Sequence, residues 1–302
     1  MKLFIFPITE NDLSGVTELF SVIPLLSESH YQKVLTAANS WNEGLYARLR
    51  FLEPKFEYVK QLNECDLAII PFKYNKDDSR IISYCNQARE SNKQVVCFFN
   101  DDSSEVFYLP NNLLLFRTSL TSTEKLINER SLPVIIPDHF PSHINLPDIP
   151  ENKIVTFCGH VGNDRLQKIE RFKSIYFDTN IVYRSGFWAP EFASKQQARI
   201  NFYKNLLSGS FTLCMRGNGN FSYRFYEALC FGRIPVFINT DCVMPFSNII
   251  DWNDHIISVN EDQIELLPEM INNSNISPLA NRKLWQTFFS AEGYYNKFVQ
   301  DI

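Results

Sequence analysis

The sequence predicts an α/β protein made of two open parallel-sheet domains, and three observations lead there. Continuous apolar runs alternate with helix-like segments along the chain. A proline-rich interval interrupts that alternation near the middle, after which it restarts. The 302 residues are about two domains' worth of chain, enough to bury a sizeable core.

The elements follow in order. MKLFIFPITE gives a strand over Lys2–Phe6 that stops at Pro7. Its apolar run is too short for a signal peptide, and no small-residue cleavage site follows. DLAIIPF, QVVCFF and LLLF are apolar without alternation, as strands covered on both faces are. Ser79–Ser91 is a helix between the first two of these. Strands and helices in alternation need crossover connections and therefore a parallel sheet. LPVIIPDHFPSHINLPDIPENK then carries five prolines, which helices and central strands do not tolerate. Within it Leu132–Asp148 is the linker, dividing an N-terminal domain, 1–145, from a C-terminal domain, 146–302. The second series runs KIVTFCG (strand), Asp164–Ser174 (helix), NIVYRSG (strand) and Lys195–Leu207 (helix). FTLCM (strand), Ser222–Phe231 (helix) and IPVFI (strand) complete it. The tail Pro278–Ile302 is helical and aromatic and goes with the second domain. Ligands of such sheets bind beyond the carboxyl ends of the strands, and with two facing domains the cleft between them is the expected site.

Composition excludes several classes of function. Hydrophobic residues at 45% and charged residues at 21% describe a soluble globular protein. A formal net charge of −5 argues against a broad nucleic-acid footprint, so no nucleic-acid partner is expected. No apolar run approaches the ~20 residues of a membrane span. Seven cysteines, an odd number without a C-x-x-C pair, read as buried reduced thiols of a cytoplasmic protein. The sequon Asn220-Phe221-Ser222 agrees, because a glycan there would block the most informative loop of the chain.

That loop opens RGNGNFSYRFYEALCFGRIPVFI, Arg216–Ile238. Strand, G-x-G, helix, strand and then Asp241 follow the order of a dinucleotide fingerprint, which would make the chain an NAD-dependent oxidoreductase. Against it, Ser222 replaces the third glycine, and Tyr223, Arg224 and Phe225 are bulky where close packing wants small residues. The other reading is a phosphate cradle. Gly217 and Gly219 let backbone N–H groups approach an anion, and the helix start adds partial positive charge. Arg216 and Arg224 would bridge a diphosphate through forked hydrogen bonds. Glu227 lies three positions on, on the same side of the helix as Arg224, suited to both hydroxyls of a ribose. The alternative for these two is a surface ion pair worth a few tenths of a kcal/mol.

GNFSYRFYEALCFGRIPVFI resembles the C-terminal signature of the exostosin-like glycosyltransferases (glycosyltransferase family 47), in which a loop with Ser and Arg precedes EAL, a glycine and IPV. MPFSNIIDW (Met244–Trp252), ECDLAIIPFKY, SLPVIIPDHF and TFCGHVGNDR also resemble family segments, of which only the block 216–252 is specific. The resemblance implies a GT-B fold, two Rossmann-like domains facing across a cleft, with a nucleotide sugar, UDP-sugar favoured, on the second and a glycan acceptor on the first. It implies that Ser222 and Arg224 contact the diphosphate, Glu227 the ribose, and Arg165 the phosphates, where a solvated helix arginine is the competing reading. The expected protein is a short, bacterial-type soluble member without the anchor of eukaryotic members, with a lipid-linked acceptor or the membrane surface as a peripheral partner.

Transfer by displacement needs a base for the acceptor hydroxyl and positive charge for the departing diphosphate. No D-x-D occurs, so the charge is assigned to Arg216, Arg224, Arg165 and the helix start, with no metal and no cofactor beyond the donor. The base should follow an N-domain strand: Asp101 and Asp12 lead Glu10, Asp77, Asp78 and Asp102, each of which also suits a cap or a solvated loop. His160 either touches the donor sugar or caps a turn. Tyr223 completes the donor-side set. A non-catalytic sugar or nucleotide binder on the same fold stays open as a third reading.

Overall fold

Runs of Ile, Leu, Val and Phe with no polar face must be covered on both sides. The computed structural model of the chain covers them in two parallel sheets. It describes residues 1–14, 23–37, 49–53, 55–136, 138, 150–162, 164–186 and 189–302. The expected boundary at 145/146 and most of Leu132–Asp148 lie outside the described residues. By spatial proximity the chain divides into two units, the first Met1–Pro137, Cys242–Phe246 and Phe288–Ile302, the second Asp138–Asp241 and Ser247–Thr287.

The first unit contains β1 (Lys2–Ile5), α1 (Glu28–Ala37), β2 (Glu57–Tyr58), β3 (Leu67–Lys73), α2 (Ser79–Glu90), β4 (Val95–Phe99), β5 (Leu113–Arg117) and β6 (Glu129–Ser131). Its strands lie parallel in the order β2-β1-β3-β4-β5-β6. All five residues of β4 and of β5 are buried, as the apolar runs VVCFF and LLLF require, with Arg117 at the end of β5 the one charged exception. From β1 the chain goes to one side for β2 and to the other for β3, so the topological switch point lies between β1 and β3.

Residues 288–302 belong to this unit, not to the second domain as the sequence reading has it. Aromatic packing is the reason. Phe298 lies 5.9 Å from Phe56 and 6.1 Å from Phe98, and the hydroxyls of Tyr58 and Tyr295 are 2.5 Å apart. Arg130 Nε donates to the Asp301 carbonyl at 2.8 Å.

One charged contact crosses two neighbouring strands of this core. Arg117 on β5 donates to the Glu129 carboxylate on β6 at 2.9 Å, with both side chains almost fully buried. Arg117 also donates to the carbonyls of Glu105 and Ser103, and Glu129 accepts from the Leu126 amide. Removing one partner strands a buried charge. Glu129→Ala is therefore expected to cost about 3–5 kcal/mol in chemical denaturation; a cost below about 1 kcal/mol would mean that water reaches the pair.

The second unit contains β7 (Val155–His160), α3 (Arg165–Ile175), β8 (Thr179–Arg184), α4 (Lys195–Leu207), β9 (Phe211–Met215), α5 (Tyr223–Cys230), β10 (Ile234–Asn239), β11 (Ile257–Asn260), α6 (Leu267–Asn273) and α7 (Pro278–Leu284). The parallel order is β11-β10-β9-β7-β8. Val155, Phe157, Leu213, Met215, Val236 and Ile238 meet Ile169 and Phe172 of α3 in its core. β8 leaves β7 on one side and β9 on the other, so this sheet switches between β7 and β9. Two parallel-sheet α/β units of this kind make up the GT-B fold class. α8 (Ala291–Lys297) is the last α-helix and lies in the first unit.

Candidate functional site

Open α/β sheets take ligands beyond the strand ends at their switch points. In the second unit that place is framed by the end of β7 with the start of α3, and by the loop after β9 with α5. His160 and Arg165 come from the first, and Arg216, Gly217, Gly219, Ser222, Tyr223, Arg224 and Glu227 from the second.

Arg224, in the first turn of α5, turns inward onto β7. Its guanidinium carbon lies 4.3 Å from the centre of the Phe157 ring, and Nη2 donates to the Cys158 carbonyl. Its Nε is buried without a partner. Such an orphan donor costs roughly 1–3 kcal/mol where nothing fills it. Arg224 and Glu227 do not form the surface ion pair that stood as their alternative reading.

Arg165 is held by two backbone carbonyls. Nε donates to Arg216 at 2.7 Å and Nη1 to His160 at 3.1 Å, which ties the end of β7 to the glycine loop. Burial lowers the Arg165 guanidinium to about 10, and the neighbouring charge of Arg224 adds to the shift. Two arginines thus sit close enough to repel. Among the described residues neither forms an ion pair with a carboxylate. Clusters of this kind are pre-arranged for an anion. A Cβ on Gly217 would stand 3.3 Å from Arg165 Nη2, so glycine there keeps that donor clear. Arg216 donates to the Asn218 carbonyl at 2.8 Å and stays half-buried at the loop's edge.

Glu227 faces the same region one turn on. Burial pushes its carboxyl up to about 7, against the opposing pull of Arg224 and Arg199. The residue as a whole is half-buried, so part of its surface still meets solvent while the surrounding protein crowds its carboxyl. No hydrogen-bond donor among the described residues reaches its carboxylate.

Ser222 caps α5 by position, but its hydroxyl makes no capping bond, and it is 5% exposed. Tyr223 is half-exposed, its ring 5.7 Å from Phe221, and Gly219 is buried in the loop. His160 ends β7 with its Nδ1 buried and unpartnered. Asn220 of the sequon is 1% exposed and its side chain accepts from Thr240. All seven cysteines are free thiols, and no described helix is long and apolar enough to cross a membrane.

The two base candidates belong to the first unit. Asp12 lies at the switch point between β1 and β3, on the wall of a pocket of about 490 Å³ lined also by Phe72, Tyr74, Lys76, Arg80 and Phe107. Both its oxygens are taken by Arg80, at 2.9 and 3.0 Å, and one also by Thr9. Burial pushes the Asp12 carboxyl up, but the Arg80 and Thr9 bonds outweigh it and hold it below the ordinary range. Arg80 is shared with Asp78 and stacks 4.2 Å from the Phe72 ring. Asp101, beyond β4, pairs with Lys73 at 2.7 Å, and that bond holds its carboxyl low too. Its side chain is 37% exposed, against 8% for Asp12. Local sequence gave no sign of Gly159 beneath Arg224 or of Arg199 near Glu227.

Comparisons with known proteins bear on the same region. Residues 184–274 match the family profile described as Exostosin GT47 domain. The exostosin-1 homolog of Caenorhabditis elegans is 34% identical over 101 residues, 33% of this chain and 25% of its own length. A probable glucuronosyltransferase of Oryza sativa subsp. japonica is 26% identical over 159 residues, 50% of this chain and 35% of its own. A probable beta-1,4-xylosyltransferase of Arabidopsis thaliana, IRX10, is 26% identical over 153 residues, 46% of this chain and 34% of its own. The matches span about a third or less of these relatives.

Proposed function

We propose that the chain is a glycosyltransferase that moves a sugar from a nucleoside-diphosphate sugar, UDP-sugar favoured, to a saccharide acceptor in glycan synthesis, with inversion and without a metal. One observation carries the reading. Arg165 and Arg224 converge at the switch point of the second sheet, fixed by backbone carbonyls and by the Phe157 ring, with donors left over and no carboxylate among the described residues paired with them. Glycosyltransferase names among the relatives, and a family match that covers the loop, α5 and β10, support it.

In this reading the acceptor oxygen attacks the anomeric carbon as the bond to the β-phosphate oxygen breaks. The electron pair leaves with the diphosphate, whose growing charge falls on Arg165, Arg224 and the N-terminus of α5. The acceptor proton goes to a carboxylate. We place that role on Asp101, whose side chain is 37% exposed, whereas Asp12 is 8% exposed and clamped through both oxygens by Arg80. Glu227 accepts from the ribose hydroxyls.

A thermal-shift panel of UDP, GDP and NAD, followed by transfer assays starting with UDP-glucuronate and UDP-xylose in EDTA, tests this. A ligand that binds only the native state raises the melting temperature. UDP is expected to stabilise and NAD not, with transfer unchanged by EDTA. Stabilisation by NAD alone would favour the oxidoreductase. Loss of transfer in EDTA, restored by manganese or magnesium, would overturn the metal-free reading.

A further inference from the structure

We propose that Gly159 is a positioning residue for the anion site, its missing side chain being the space through which the Arg224 guanidinium reaches the end of β7. The proposal rests on reading Arg224 as a diphosphate ligand. Side chains two apart on a strand point to the same face, so position 159 would project beside Phe157. That face is occupied. Arg224 stacks on the Phe157 ring at 4.3 Å and donates to the carbonyl of Cys158, the residue between. An ideal Cβ on Gly159 would lie 2.3 Å from Arg224 Nη2, 3.3 Å from its guanidinium carbon and 3.6 Å from Nη1. Real Cβ atoms do not approach other heavy atoms within 3.0 Å.

Two further observations narrow the cause. Gly159 does not have a left-handed backbone, Gly232 being the one described glycine at positive φ, so conformation does not demand glycine at 159. The three atoms nearest the added carbon all belong to Arg224. The obstructing atoms are the end of a flexible side chain, which can be pushed aside while the strand holds. Gly209 contrasts with this, because a Cβ there would meet the Ile154 carbonyl oxygen at 2.3 Å, a backbone atom that cannot yield. Gly159 is thus required by Arg224 and Gly209 by the fold.

A double-mutant cycle tests the idea, with Gly159→Ala, Arg224→Ala and the two combined, read by UDP titration calorimetry and by melting temperature. Gly159→Ala alone is expected to weaken UDP about ten- to a hundredfold, the range for losing a charged hydrogen bond. It is also expected to lower the melting temperature of the unliganded protein. In the Arg224→Ala background the same substitution should change neither quantity, since the methyl enters vacated space. Gly159→Ala that binds UDP as the wild type does overturns the proposal. So does an equal loss of stability or affinity in both backgrounds, because the glycine then serves something other than Arg224. If Arg224→Ala leaves UDP binding intact, the diphosphate reading falls. The melting temperatures alone then decide whether position 159 makes room for the arginine. Gly209→Ala, as the control, should destabilise equally with or without Arg224.

Discussion

Replacing Arg224 by alanine is expected to weaken UDP and UDP-sugar binding by roughly one to two decades while leaving the unliganded protein at least as stable. Losing a hydrogen bond to a charged group costs roughly 1.5–3 kcal/mol, and each 1.4 kcal/mol is a factor of ten. In the free protein the balance runs the other way. The side chain keeps a buried, unpartnered Nε and repels Arg165. Its stacking on Phe157 offsets part of that, so removal changes stability little. Arg224→Lys should not restore affinity, because an ammonium lacks the fork that spans two phosphate oxygens. Titration calorimetry on the three proteins reads the effect. Unchanged affinity in the alanine variant would remove Arg224 from the site, and a collapse of the melting temperature would make it a structural residue.

Glu227→Gln is expected to separate binding from stability as a function of pH. Burial raises the folded-state value of this carboxyl to about 7 from an ordinary 4.5. Between those values the native state holds a proton that the unfolded chain has released, so this group's contribution to stability falls as pH rises from about 4.5 through 7. Glutamine, always neutral, removes that slope. At pH 8 the variant should melt no lower than the wild type. Binding goes the opposite way, since the carboxylate is the better acceptor for two ribose hydroxyls. Wild-type affinity for a UDP-sugar should rise from pH 6 to pH 8. The glutamine variant should bind about ten- to a hundredfold more weakly at pH 8, with little pH dependence. A 2′,3′-dideoxy nucleotide should bind the wild type poorly and lose little more in the variant. Parallel pH profiles in the two proteins, or a variant that unfolds yet binds normally when folded, would make Glu227 structural.

Much of the fold was legible because buried parallel strands write themselves as unbroken apolar runs. β4 and β9 fall within the runs expected, β3, β5 and β10 overrun theirs by one residue, and α2 and α4 end within a residue of their expected ends. Of the edge strands only β8 was legible, as NIVYRSG. β2 is two residues long, and β6 reads ERS, whose glutamate is buried only because Arg117 stands on the next strand. The tail's aromatic content was visible but its destination was not, since Tyr58 and Phe98 lie about 200 or more positions away in the chain. The site divided along the same line. A loop, a helix start and an acid one turn on are local patterns, and they single out Arg224 and Glu227 as candidates. The attachment of Arg165 to the Arg216 carbonyl spans 51 positions, and that of Asp12 to Arg80 spans 68. Asp12 therefore looked like a free acid in sequence and is a clamped one in space.

The return of residues 288–302 to the first unit bears on the order in which the chain matures during synthesis. Domains generally fold as units as they leave the ribosome, the N-terminal one first. Here Phe98 and Phe56 of the first unit wait for Phe298, and Leu120 waits for the amide of Val243. All of the second unit is translated before that last segment appears. The nascent first sheet must therefore persist with its aromatic surface uncovered while the second unit is made, and it closes only after residues 288–302 have emerged. Chaperone dependence and sensitivity to C-terminal truncation should accordingly concentrate in the half that is synthesised first.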